Sequence, residues 1–160
     1  MNFIKKFLLN FLILIIFSCA EKNKEFILEL DSNWKFQSEN DDLFLPASVP
    51  GTVHLDLIKN GKIDDPFFRL NEHELQWIDK LAWNYKTSFN INDFQLEYDS
   101  IELDFLGLDT HADVFLNDHL IYSSDNMFVG KKIKVKQKIR RGNNNLLIKF
   151  KSPINVGIEK

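Results

Sequence analysis

The sequence predicts an all-β domain built as a β-sandwich or jelly roll. Two observations carry this prediction: short segments in which apolar and polar residues alternate, and turn-forming residues between those segments, with a single candidate helix. The alternation is clearest in Ile101–Asn117. One face of this stretch carries only apolar side chains, namely Ile101, Leu103, Phe105, Ala112, Val114 and Leu116. No βαβ crossover fits this order of elements, so the sheets are predicted to be antiparallel.

The other elements follow from the same two signals. The further predicted strands are Phe26–Leu30, Trp34–Phe36, Ala82–Phe89, His119–Tyr122 and Leu146–Phe150. A short helix is predicted to begin after a cap at Thr52 or Asp56 and to end at Asn60-Gly61. Asn117-Asp118 lies where a two-residue hairpin turn is expected.

Composition excludes several classes of protein. The chain is 44% hydrophobic and 27% charged, as is usual for a globular domain, and its net charge of -3 offers no basic surface for nucleic acid. Its fifteen phenylalanines could form an aromatic binding surface. Because Lys, Ile and Asn are also abundant, compositional bias is the favoured explanation.

Residues 1–18 have the pattern of a signal peptide. Lys5-Lys6 precede the apolar stretch Phe7–Phe17, which is shorter than the ~20 residues that span a bilayer. Ser18-Cys19 at its end resembles the lipobox of bacterial lipoproteins, with Cys19 as the lipidation site. The alternative is an ordinary signal peptide with an incidental cysteine. Residues 19–25 are predicted to be a tether, and the protein to be exported and held on a bacterial membrane, on the periplasmic side or at the cell surface.

The residues suggest no catalytic or metal site and no cofactor. Acidic residues that might form a catalytic pair are read as solvated loop side chains: Asp64, Asp65, Glu72, Glu74 and Asp109. The histidines lack the close spacing of zinc ligands: His54, His73, His111 and His119. Among the tryptophans, Trp83 is predicted to pack in the core, and Trp77 is the candidate for stacking on a sugar ring.

Several blocks of the sequence together resemble the N-terminal domain of β-mannosidases in glycoside hydrolase family 2. They are Val49–Leu57, Ile63–Phe67, Asn71-Glu72, Gln76–Ile78, Trp83–Tyr85, Gly107–Ala112, Asp125–Phe128 and Phe150–Pro153. The resemblance implies a galactose-binding-like jelly roll over residues 26–153, lacking its last strand or strands, with 154–160 starting a missing continuation. It also implies that the two catalytic glutamates lie on a barrel outside this chain.

The resulting functional hypothesis is a non-catalytic fragment of an exported β-mannosidase, whose parent reaction hydrolyses terminal β-D-mannose residues. The expected partners are a β-mannoside glycan, bound through the missing catalytic part, and a membrane, reached through Cys19. Two alternatives stay open: an autonomous carbohydrate-binding jelly-roll module and an inactive remnant.

Overall fold

The computed structural model describes residues 25–158. The predicted signal peptide, the lipidation site Cys19 and all but the last residue of the predicted tether lie outside these residues. The eight strands are β1 Lys35–Ser38, β2 Leu45–Pro46, β3 Trp83–Ile91, β4 Glu102–Phe105, β5 Ala112–Leu116, β6 His119–Ser124, β7 Lys131–Lys134 and β8 Gly142–Phe150. The helices are α1 Val53–Lys59, α2 Asn71–Glu74, α3 Asp93–Leu96 and α4 Pro153–Ile158, with a 3-10 turn at Ile78–Lys80.

The strands form two antiparallel sheets, as the alternation predicts. The larger sheet has the order β2-β1-β3-β8-β5-β6, and the smaller sheet pairs β4 with β7. The long strands β3 and β8 run side by side from Trp83↔Phe150 to Ile91↔Gly142 and form the middle of the larger sheet. The all-β sandwich prediction is therefore confirmed.

The core lies against the inner face of the larger sheet. Every second residue of β3 is buried, as is every second residue of β5, which is the two-residue period of a strand with one face in the core. The buried apolar residues are Trp34, Phe36, Leu57, Ile78, Trp83, Tyr85, Phe89, Ile91, Leu108, Ala112, Val114, Leu116, Val135, Ile139, Leu146 and Ile148.

The β5–β6 hairpin turn has the predicted conformation. Asn117 and Asp118 have φ angles of 47° and 67°, so both residues of the turn are left-handed, as a type I′ turn requires. The Asn117 side chain also contacts the start of β8, because its amide donates to Asn144 Oδ1 at 2.8 Å. Asn144 is fully buried and donates in turn to the carbonyl oxygens of Arg140 at 2.7 Å and Gly142 at 3.0 Å. This asparagine network joins the turn after β5 to the turn before β8.

The predicted helix is present as α1. The Thr52 side chain accepts from Leu55 N at 3.3 Å and caps the helix, and Gly61 follows its end with a φ of 63°. Asp56 is therefore not the cap; it lies inside the helix and is buried. None of the helices within residues 25–158 has the length and apolar character to cross a membrane.

Two expectations about secondary structure are wrong. Phe26–Leu30 is irregular and largely exposed, not a strand, because it forms no ladder with a neighbouring strand and is held at its end by the Trp34 indole, which donates to Leu30 O at 2.7 Å. The single-helix expectation also fails, since α2, α3 and α4 are short helices of four to six residues. Helices this short have too little apolar periodicity to detect in a sequence.

Candidate functional site

A buried carboxylate fixes the loop before α1. Asp56 is 0% exposed, and its two oxygens accept from Ser48 N and from the Tyr85 hydroxyl, each at 2.9 Å. Burial, together with the negative charge of Asp56, raises the pKa of Tyr85 well above its usual value, so this phenol stays protonated and donates. The contact ties α1 and its preceding loop to the central strand β3.

The same loop is held by two more side chains at the end of α1. Lys59 Nζ donates to Ser48 Oγ at 2.7 Å, and Asn60 Nδ2 donates to Pro46 O at 2.9 Å. These contacts flank the block Val49–Leu57, which carries much of the family resemblance, and Asp56 anchors the block from within. In the structure the block holds α1 and the loop before it against the central strand β3.

An aromatic cluster extends from the core to the surface beside this unit. The rings of Phe36 and Trp83 are stacked with centroids 5.8 Å apart, and Trp77 is tilted against Trp83 at 6.2 Å. Trp83 is buried and donates from Nε1 to Ile78 O at 3.0 Å, so the packing interpretation of this residue is confirmed. Trp77 is 39% exposed, so part of its ring is open to a ligand.

A small polar pocket lies at the ends of β5, β6 and β8. Its volume is about 390 Å³, and its lining residues are His111, Ser123, Ser124, Asp125, Lys151 and Val156. The main chain of Lys151 donates to His111 O at 2.8 Å, which brings the segment after β8 against the segment before β5. Two of the resembling blocks, Gly107–Ala112 and Phe150–Pro153, therefore meet at this pocket.

Two of the lining side chains, Ser123 and Lys151, contact Asp113, which lies beside the pocket and does not line it. Its carboxylate accepts from Ser123 Oγ at 2.6 Å and pairs with Lys151 Nζ at 2.9 Å. The hydrogen bond from Ser123, followed by that from Lys151, lowers the pKa of Asp113. Hydroxyl, imidazole, ammonium and carboxylate groups offer both donors and acceptors, which suits a polyhydroxylated ligand.

A much larger cleft separates the two sheets. Its volume is about 2460 Å³. One wall carries side chains of the larger sheet, including Trp83, Tyr85 and Phe89, and the other is formed by all four residues of β4 and the loop that follows it. The largely exposed segment Phe26–Leu30 also lines the cleft. The cleft is lined mainly by apolar groups.

The remaining candidates from the sequence do not assemble into a site. The acidic residues named above are all exposed, and Asp65 accepts from Phe67 N at 2.9 Å within its own turn. Within residues 25–158, no three His, Cys, Asp or Glu side chains lie close enough to hold a metal ion.

Sequence reasoning missed the Asp56–Tyr85 contact and the Asp113–Ser123–Lys151 group. The hairpin predicted at Asn117-Asp118 does not by itself bring Asp113 opposite Ser123, because a register shift between Val114 and Phe115 is needed to place them together. The Asp56–Tyr85 contact has no signal in the local sequence, since the two residues are far apart in the chain.

The two antiparallel sheets define a β-sandwich domain of the galactose-binding-like class. The chain belongs to the glycosyl hydrolase 2 galactose-binding domain-like family, whose model matches residues 34–160. It corresponds to an N-terminal domain of β-mannosidase-like proteins of glycoside hydrolase family 2.

Three relatives show the extent of the similarity. The chain is 35% identical to mouse β-mannosidase over 125 residues, covering 78% of this chain and 14% of the enzyme. It is 40% identical to β-mannosidase B of Thermothelomyces thermophilus over 129 residues, covering 79% and 15%. The crystal structure of β-D-mannosidase from Dictyoglomus thermophilum superposes with a TM-score of 0.82 at 41% identity, covering 84% of this chain and 17% of that one. The chain thus spans only a small part of the length of these relatives.

Proposed function

We propose that this chain is the non-catalytic N-terminal domain of an exported β-mannosidase-like glycoside hydrolase. The parent protein hydrolyses terminal β-D-mannose residues, and its carbohydrate partner is a β-mannoside glycan. The observation that carries this proposal is the similarity to the Dictyoglomus thermophilum β-D-mannosidase, which extends over 84% of this chain at 41% identity.

The non-catalytic part of the proposal rests on the acidic residues. A retaining glycosidase needs two carboxyl groups about 5–5.5 Å apart, one as acid/base and one as nucleophile. Among the described residues the one fully buried carboxylate, Asp56, is already bound by Ser48 and Tyr85. Asp113 is held by Ser123 and Lys151. Neither is free to attack a sugar, so catalysis is assigned to another part of the parent protein.

The location of the protein is proposed from its first residues. Lys5-Lys6, the apolar stretch Phe7–Phe17 and Cys19 support export followed by lipid attachment. The domain then sits at a bacterial membrane, on the periplasmic side or at the cell surface, within reach of extracytoplasmic glycans.

A domain exchange tests the proposal. Residues 26–160 replace the matching domain of the Dictyoglomus thermophilum β-D-mannosidase, and hydrolysis of 4-nitrophenyl β-D-mannoside is measured. We expect the chimera to hydrolyse this substrate and the 160-residue chain alone to show no turnover above a heat-inactivated control. The enzyme lacking its first domain is the matched control. Turnover by the chain alone, or a soluble chimera no more active than the truncated enzyme, would contradict the proposal.

A second candidate is an autonomous carbohydrate-binding module, which the exposed Trp77 and the polar pocket favour. The apolar face of a sugar ring can stack on an aromatic ring such as that of Trp77. The pocket, which Trp77 does not line, offers a separate set of donors and acceptors for hydroxyl groups. Calorimetric titration of the chain with mannobiose tests it. Binding that Trp77→Ala abolishes, with Phe94→Ala as an exposed aromatic control, would support a module. A chain that neither binds mannobiose nor supports the chimera is an inactive remnant.

A further inference from the structure

The turn that ends α1 contains the dipeptide Asn60-Gly61. Asparagine followed by glycine is prone to spontaneous deamidation, because glycine has no Cβ to shield its main-chain nitrogen. This nitrogen attacks the side-chain carbonyl carbon of the asparagine, a C–N bond forms, and ammonia leaves, which gives a cyclic imide. Water then opens the imide to aspartate, or to isoaspartate, in which the main chain runs through the side-chain carbonyl. The sequence of this turn therefore marks a candidate modification site.

Hydrogen bonds hold both reacting groups of the dipeptide. Asn60 Nδ2 donates to Pro46 O at 2.9 Å and to Asp56 O at 2.7 Å. Gly61 N donates to Ile58 O at 2.9 Å. The side-chain amide is thus fixed between the end of β2 and the last turn of α1, and the nitrogen that would attack it is directed to a different acceptor.

The backbone conformation also opposes closure of the imide ring. Asn60 ends α1 with φ of −90° and ψ of 7°, and Gly61 follows with φ of 63°. At a ψ near zero the Gly61 nitrogen eclipses the main-chain nitrogen of Asn60 instead of lying beside Cβ, where the ring would close. Ring closure therefore requires Asn60 to leave its place at the C-terminal end of α1.

The helix α1 is short enough to open while the sheets stay folded. It has seven residues, and isolated helices shorter than ~12–15 residues are marginal in water, so α1 depends on its contacts with the rest of the domain. The buried Asp56 supplies two of them, to Ser48 N and to the Tyr85 hydroxyl. Loss of these contacts would free Asn60 while β3 keeps its ladder with β8.

The product of deamidation does not fit the place of the asparagine. A carboxylate there has only acceptors, and it would face the carbonyl oxygens of Pro46 and Asp56 that the Asn60 amide now contacts. It would also add a negative charge at the C-terminal end of a helix, where the macrodipole disfavours anions. Conversion of Asn60 therefore replaces two hydrogen bonds with repulsion.

We propose that Asn60 is a deamidation site that reacts only when α1 opens, and that its conversion then keeps α1 from re-forming its contacts. The reaction is slow while α1 is folded, and each opening of α1 makes the dipeptide reactive. The contacts that hold Asn60 and α1 lie within residues 46–85 and are independent of the enzyme activity of the parent protein.

The test follows Asn60 in the full chain. The chain is held in lipid nanodiscs, which accommodate its apolar N-terminal stretch, and is incubated at mildly alkaline pH. Peptide mass spectrometry measures the converted fraction over time, and electron-transfer fragmentation separates isoaspartate from aspartate. The same chain unfolded in guanidinium chloride gives the rate without structure. We expect the folded chain to convert at least about tenfold more slowly, and equal rates would overturn the proposal.

Two variants separate opening of α1 from unfolding of the whole domain, at a temperature at which both are folded. Asp56→Ala removes the anchor of α1 and should raise the rate at Asn60 about tenfold. Asn117→Gly breaks the contact to Asn144 in the distant hairpin and should leave the rate unchanged. Equal acceleration by the two variants would contradict local opening. Should Asp56→Ala fail to fold, Thr52→Ala takes its place, because it removes the cap of α1 and should raise the rate severalfold.

A second pair of variants measures the effect of the product. Asn60→Asp carries the deamidated side chain, whereas Asn60→Ala loses the same hydrogen bonds without gaining a charge. We expect Asn60→Asp to have the lower urea midpoint and the faster amide hydrogen exchange in α1, with exchange in β3 and β8 unchanged. An Asn60→Asp chain as stable as Asn60→Ala, with equal exchange in α1, would overturn the claim that conversion keeps α1 open.

Discussion

Replacing Asp56 with alanine should strongly destabilise the domain. The substitution removes the acceptors of the Tyr85 hydroxyl and of Ser48 N, which now lie 2.9 Å from the carboxylate oxygens. A buried donor left without a partner costs about 1–3 kcal/mol. Tyr85 is buried and bears the full cost, whereas Ser48 is half-buried and can regain water.

The expected loss is about 3–4 kcal/mol, a large share of the roughly 5–15 kcal/mol by which domains are stable. For a domain of this size it corresponds to a fall in Tm of about 10–15 °C. Urea unfolding followed by tryptophan fluorescence measures the free energy, and scanning calorimetry measures Tm. Both readouts apply to the variant and to the unaltered chain under the same conditions.

Two further variants test the reasoning behind this value. Tyr85→Phe alone removes a donor and should cost about 1–2 kcal/mol, because Asp56 keeps the Ser48 contact. The double variant should lose less than the two single losses added together, since it leaves no phenol unsatisfied. An Asp56→Ala chain within about 1 kcal/mol of the unaltered protein, or strictly additive losses, would refute the assigned role of the contact.

Three other perturbations have defined outcomes. The pKa of Tyr85 is raised in the folded state, so the contribution of Tyr85 to stability is complete below its unfolded pKa of about 10 and is lost at about 1.4 kcal/mol per pH unit above that pH. Above about pH 10 the urea midpoint should therefore fall more steeply with pH for the unaltered chain than for Tyr85→Phe. Parallel plots of urea midpoint against pH for the two proteins would exclude this linkage. Asp118→Gly should stabilise the hairpin by about 0.5–1 kcal/mol, because glycine adopts the φ of 67° at this position without strain. Asn117→Gly is the contrasting variant, because it also breaks the side-chain contact to Asn144. An Asn117→Gly chain more stable than the unaltered protein would contradict this reasoning. Cys19→Ala should release the protein from membranes or block its processing, as detergent partitioning shows, while Ser32→Ala should not; unchanged partitioning of Cys19→Ala argues against lipid attachment.

The sequence predicts local structure well where a two-residue period or a turn residue acts alone. Alternation in Ala112–Leu116 and the positive φ needed at Asn117-Asp118 are local properties, so β5 and its hairpin can be predicted from their own residues. Phe26–Leu30 has the same kind of pattern and forms no strand, because a strand exists only where a neighbour pairs with it. The alternation of apolar and polar residues specifies which face of a segment is apolar, but not which strand pairs with that segment.

The candidate sites depend more heavily on distant contacts. Trp83 can be assigned to the core because it alternates with other buried residues, and the structure agrees. The polarity and position of Asp56 fit a helix cap as well as its true role, and only the fold brings Tyr85 to it from β3. The polar pocket likewise arises from the order of strands, which the sequence does not specify.

The asparagine network that joins two turns also limits where the chain can be lengthened. Asn117 bonds to Asn144 through its side chain; its main-chain N–H donates to Asn145 O, and its side-chain oxygen accepts from Asn145 N. A residue inserted at either turn would therefore shift both registers at once, and a shift of one residue turns every inward side chain of a strand outward. Leu43, which is 76% exposed and lies in the loop before β2, is free of such bonds among the described residues. Tags, labels or fused domains therefore belong in that loop rather than at the hairpin.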